Sequence, residues 1–160
     1  MCNTEFRLAK KEDTALILSF INQLAEYEKM SDQVVADEQT LKKWIFDDKI
    51  AQVIFALEGG VEVGFALFFH NFSTFLGRAG IYLEDLFVKP EFRKRGHGKA
   101  LIKKLAQIAV ERGCGRLEFT CLDWNKPSID FYLSLGAKQM NDWTIYRFQG
   151  QSLENLANNI

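Results

Sequence analysis

The chain has 160 residues, 48% of them hydrophobic, with 20 cations against 21 anions and a formal net charge of -1. That length supports one domain with a buried core over residues 1–160. The near-neutral balance excludes both a broad basic field for nucleic acid and an acidic solvating tail. The longest apolar run, Gly64 to Phe69, is far too short to span a bilayer, so no membrane partner is expected. Three cysteines (Cys2, Cys114, Cys121) and an N-terminus without signal-peptide character point to a reduced, cytoplasmic protein.

In chain order, Phe6 to Leu8 reads as an opening strand, and Asp13 is placed to cap a helix carrying Leu16, Ile17, Phe20, Ile21 and Leu24 at helical spacing. A second helix carries Leu41, Trp44 and Ile45. Ala51 to Leu57 and Val61 to Phe69 read as strands joined at Gly59-Gly60, a tight hairpin signal. A further strand runs from about Ile81 to Val88 and stops at Pro90. Ala100, Leu101, Leu105, Ile108 and Ala109 form a helix ending near Gly113. Arg116 to Leu122 is a strand, Pro127 opens a short helix, and Thr144 to Phe148 returns as a late strand. The late segment Gln151 to Ile160, with Leu153, Leu156 and Ala157, is suited to packing on its own domain or on a partner. The order predicts an α/β sheet with its ligand loop between a strand and a helix.

That loop is Glu91-Phe92-Arg93-Lys94-Arg95-Gly96-His97-Gly98-Lys99-Ala100. A P-loop reading fails because Gly98-Lys99 is followed by Ala100 and Arg93 stands where the first glycine belongs. A dinucleotide loop wants a third glycine where Leu101 stands. What remains is a run of backbone N–H groups at a helix N-terminus, with two glycines allowing close approach and cations adding attraction. A pyrophosphate fits there; a strand-to-helix turn with a solvated basic rim is the plain alternative.

Arg93-x-x-Gly96-x-Gly98 after Leu86-Phe87-Val88 resembles motif A of the GNAT acetyltransferases. Leu122 to Tyr132, with Leu135-Gly136-Ala137, resembles their motif B. Together with Tyr27-Glu28 and Tyr82-Leu83-Glu84-Asp85 the pattern is similar to the diamine (spermidine/spermine) and thialysine N-acetyltransferase branch, over nearly the whole chain. The resemblance implies a GNAT fold, a mixed and mostly antiparallel central sheet flanked by helices. It also implies acetyl-CoA as cosubstrate, its pantetheine arm paired to the main chain of Leu86, Phe87 and Val88. On the same resemblance Arg93, Lys94, Arg95, Gly96, His97, Gly98 and Lys99 surround the phosphates, and Asn125, Pro127 and Ser128 line the other side of the cosubstrate.

Acetylating an amine requires a lone pair, and neutralising a lysine-like amine of pKa roughly 10.4 at pH 7 costs about 4.6 kcal/mol. By resemblance Glu84 receives that proton, directly or through water, and Tyr132 protonates the departing thiolate. Tyr27, Glu28, Glu84, Asp85 and Asp142 match the region where the polyamine enzymes meet a cationic substrate, so a small cationic amine is the expected partner. Leu122-Asp123-Trp124-Asn125 and Ser31-Asp32-Gln33-Val34 lean toward the thialysine-type members. No metal site is expected from His70 and His97 alone, and homodimerisation is expected from the resembling enzymes. A non-catalytic acyl-CoA sensor and a protein lysine or N-terminal acetyltransferase are the alternatives; Glu84 and Tyr132 beside the glycine loop argue against the first.

Overall fold

The computed structural model describes residues 3–159; Cys2 and Ile160 lie outside them. The chain forms two compact units, Met1–Thr120 and Cys121–Ile160. In the first, five strands, β1 Glu5–Leu8, β2 Gln52–Glu58, β3 Val61–Ser73, β4 Arg78–Val88 and β5 Leu117–Phe119, lie in the order of their numbering. The first three pairings are antiparallel and β4–β5 is parallel, the mixed and mostly antiparallel sheet expected.

Alternation along the strands sends side chains to two separate cores. Val53, Phe55, Phe65 and Phe87 meet Ile17 and Phe20 of α1 (Thr14–Tyr27), whereas Ile54, Ala56, Ala66 and Val88 meet Leu101, Leu105, Ile108 and Ala109 of α3 (His97–Glu111). Phe20 is fully buried, stacked on Phe65 at 5.1 Å between centroids, with Phe55 at 5.9 Å and Phe87 at 6.4 Å. Each such side chain removed from water stabilises the fold by about 1.5–3 kcal/mol, so helices are held on both faces of the sheet. Gly59 and Gly60, at φ 58 and 79, make the two-residue turn between β2 and β3, and both angles favour glycine.

Several expectations are revised. Asp13 does not cap α1 through its side chain; its carboxylate receives Arg7 at 2.7 and 2.9 Å and the Lys10 N–H at 2.7 Å. Arg7 also donates to Glu62 on β3 at 2.6 and 3.0 Å, so a fork of charge-assisted bonds displaces capping and holds Asp13 below the usual carboxylate range. The second helix is short: α2 covers Glu38–Lys42, then a wider π-helical turn, Lys43–Asp47, buries Ile45 and leaves Trp44 exposed. β3 and β4 extend into a longer hairpin than the apolar runs indicate, with Asn71↔Gly80 and Ser73↔Arg78 in register.

In Cys121–Ile160, α4 (Lys126–Ser134) and α5 (Gln151–Asn158) are the regular elements among the described residues. The late strand at Thr144 to Phe148 does not form. This unit holds no second strand among its described residues to supply a ladder, and Ile145, Tyr146 and Phe148 are exposed. Leu153 and Leu156 of α5 are exposed as well.

Candidate active site

β5 pairs β4 at Ile81, Tyr82 and Leu83. Beyond Leu83, among the described residues, the β4 edge away from β3 has no strand partner, the kind of edge an extended ligand can pair with, and its Val88 carbonyl accepts from Arg93. β3 closes the other side, pairing Leu86 with Ala66, Phe87 with Phe65 and Val88 with Gly64. Gly64 is required there, because a Cβ would lie 2.8 Å from the Phe87 carbonyl oxygen. Leu67 pairs with Asp85 and Phe68 with Leu83, so Glu84 is an extra residue in a bulge.

The glycine loop follows β4 through a 3-10 turn at Pro90–Phe92, where Pro90 ends the ladder as expected. Lys94 and Gly96 both have left-handed φ, 62 and 92, the kind of backbone from which anion-binding concavities are built. α3 begins at His97, earlier than its apolar periodicity indicates, with Gly96 at its N-cap and Gly98 and Lys99 in its first turn. The N-terminus of α3, with its unpaired N–H groups, thus directly follows this turn.

The cations of this loop are not all aimed outward. Arg93 Nε donates to the Val88 carbonyl at 2.9 Å, and its guanidinium lies over the rings of Tyr27 and Phe87 at 4.9 and 5.1 Å. Arg93 therefore joins the end of α1 to the end of β4. Arg95 pairs with Glu58 at 2.7 Å. His97 is buried, bonded to Glu58 and Thr4. Glu58 escaped the sequence reading because it stands 39 residues before His97 with no local motif around it.

At the bulge, Glu84 is exposed and Asp85 partly buried. Burial above all, then the charges of Glu84 and Glu28, pushes the Asp85 carboxyl up to about 7. Burial also raises Glu28, which follows Tyr27 at the end of α1. Asp85 thus feels the charges of both Glu84 and Glu28, an environment that disfavours a further negative charge.

Tyr132, Asn125, Pro127, Ser128 and Asp142 belong to the second unit. The Asn125 side chain, buried, accepts from the Ser128 N–H at 3.4 Å as the N-cap of α4, with Pro127 in the first turn. Ser128 and Tyr132 are one helical turn apart, both partly buried, and the Tyr132 ring lies 5.2 Å from that of Phe131. Asp142 is exposed in a turn. Among the described residues no cluster of three or more His, Cys, Asp and Glu is arranged to hold a metal ion, and no helix is long and apolar enough to cross a membrane.

Comparison with known proteins supplies the class of chemistry. A family model described as "Acetyltransferase (GNAT) family" matches residues 18–137. Thialysine N-epsilon-acetyltransferase of Bos taurus is 40% identical over 163 residues, covering 94% of this chain and 95% of the relative. The protein of the same name in Sus scrofa is 39% identical, covering 98% and 99%. Among solved structures, an integron cassette protein from the mobile metagenome of V. cholerae superposes with a TM-score of 0.81 at 32% identity, covering 97% of this chain and 98% of its own. A family model over most of the chain and near full-length relatives of one activity lead to the same conclusion: this chain belongs to the GNAT acetyltransferase family and is an N-acetyltransferase.

Proposed function

We propose that the chain transfers the acetyl group of acetyl-CoA to a primary amine of a small cationic acceptor, a thialysine, lysine analogue or diamine. The observation that carries the acceptor class is the Asp85 carboxyl, raised to about 7 by burial and by Glu84 and Glu28. Such crowding is relieved when a cation enters, which favours an acceptor with a second positive charge over a monoamine. The thialysine activity in the names of the 40% and 39% identical relatives supports the same class. The match to residues 18–137 runs across both compact units, which supports reading the chain as one catalytic domain. We further read it as a cytoplasmic homodimer with Cys114 and Cys121 reduced.

The residues present fit the cosubstrate. The main chain of Leu86, Phe87 and Val88 offers an open edge to the pantetheine arm. N–H groups from Lys94 to Lys99 face the pyrophosphate, with the Lys94 and Lys99 ammonium groups adding charge. Arg93, Arg95 and His97 serve this loop through the contacts already described, and the family resemblance adds Asn125, Pro127 and Ser128 as further contacts of the cosubstrate. Bound acetyl-CoA supplies an activated acyl group. Tyr27, Glu28, Asp85 and Asp142 hold the acceptor, Glu84 takes its proton directly or through water, and the Tyr132 hydroxyl gives a proton to the departing thiolate.

The test is a CoA-release assay with thialysine, lysine, putrescine, spermidine, spermine and a lysine peptide as acceptors. Turnover is expected for the free dicationic amines and to rise with pH as the acceptor loses its proton. Preference for the peptide would replace this reading with a protein acetyltransferase, and binding of acetyl-CoA without turnover would replace it with a sensor.

A further inference from the structure

The His97 side chain is 0% exposed, although it occupies the first helical position after Gly96, in the loop proposed to hold the pyrophosphate. Its Nε2 lies 2.5 Å from Glu58 Oε2, and its Nδ1 lies 2.9 Å from Thr4 Oγ1. The other Glu58 oxygen accepts from Arg95 Nη1 at 2.7 Å. Arg95 Nη2 donates to the Glu91 carbonyl at 3.1 Å, and its guanidinium lies 5.1 Å from the Phe92 ring centroid. One carboxylate at the end of β2 therefore grips the residues on both sides of Gly96. Both imidazole nitrogens are engaged, so the ring turns into the fold and only the His97 main chain remains for a ligand.

We infer that Glu58 is a positioning residue for acetyl-CoA binding: through His97 and Arg95 it fixes the glycine loop in the conformation whose N–H groups converge on pyrophosphate. The inference rests on the proposed reading of that loop. Electrostatics alone predicts the opposite effect, because Glu58 neutralises part of the loop's positive charge and its removal would then strengthen anion binding. Positioning and neutralisation are thus separated by the sign of one measurement.

The experiment measures binding of CoA and of pantetheine, which lacks the pyrophosphate, to the full chain by calorimetry. Wild type is expected to bind CoA far more tightly than pantetheine. Glu58→Ala is expected to weaken CoA about tenfold, the loss of a charge-assisted network, and to leave pantetheine unchanged. With acetyl-CoA, its KM is expected to rise while kcat at saturation stays within about twofold. The Glu58→Ala/His97→Leu double variant is expected to bind CoA no more weakly than the worse single variant, because both changes break one network. Glu58→Gln is expected to recover most of the affinity, since its amide still accepts from Arg95 and donates to an unprotonated His97 Nε2. Unchanged or tighter CoA binding in Glu58→Ala, or a Gln variant as weak as the Ala variant, would overturn the inference. Equal wild-type affinities for CoA and pantetheine would overturn the pyrophosphate reading itself and the inference with it.

Discussion

Replacing Asp85 by asparagine keeps the size of the side chain and removes its ability to ionise. The folded Asp85 carboxyl sits at about 7, against an ordinary value of 3.8. A raised value means that the folded chain still holds the proton where the unfolded chain has lost it, so stability falls as pH rises from 3.8 through about 7 and then levels off. At 1.36 kcal/mol per pK unit the full effect is about 4 kcal/mol, of which about 2.5 kcal/mol falls between pH 5 and pH 8. The Asn variant lacks this contribution, so its stability relative to wild type should improve by about 2.5 kcal/mol between those two pH values. Urea unfolding of both proteins at pH 5 and pH 8, followed by circular dichroism, measures the difference directly. A wild-type-to-variant gap that stays constant within about 0.5 kcal/mol would mean that Asp85 is not held in a charge-averse environment, and the cation-seeking acidic edge would fall with it.

Tyr132→Phe removes the proposed proton donor, and kcat should fall about a hundredfold or more while acetyl-CoA affinity is kept; equal loss of affinity would reassign Tyr132 to binding. Gly98→Asp places a carboxylate in the first turn of α3. There it favours the helix by about 0.3–1 kcal/mol, so the melting temperature should hold while CoA affinity falls steeply. Gly64→Ala brings a Cβ to 2.8 Å from the Phe87 carbonyl oxygen and 3.2 Å from Val88 Cγ2. Chemical denaturation should show a loss of about 1–3 kcal/mol, and an unchanged midpoint would mean that β3 and β4 separate at little cost.

Features fixed by neighbours in the chain were legible before the structure. Gly59-Gly60 marked the hairpin, Pro90 stopped β4, and the spacing of Leu101, Leu105 and Ile108 gave α3 its buried face. The turn at Gly96 and the start of α3 beside it were legible because they are backbone features, carried by a few adjacent residues. Features decided by distant partners were not legible. Asp13 looked like a helix cap until Arg7 claimed its carboxylate. Asn71 and Arg78 lack the apolar signal of a strand, yet the ladder continues through them. Thr144 to Phe148 read as a late strand, but local sequence alone supplies no partner for its N–H and C=O groups. Glu58 sits in a plain strand, and only the fold brings it against His97.

The bulge at Glu84 separates the requirements of folding from those of chemistry. Leu83, Leu86 and Val88 pack toward α3, while Phe87 packs toward α1, a sequence of faces that strict alternation from Leu83 would not produce. Counting Glu84 as an insertion restores the parity, with Leu83 opposite Phe68, Asp85 opposite Leu67 and Leu86 opposite Ala66. A chain lacking residue 84 would therefore close a continuous ladder with every core side chain still on its own face. The sheet carries its proposed catalytic carboxylate as a supernumerary residue, one that the architecture can discard and that only the proposed reaction would require.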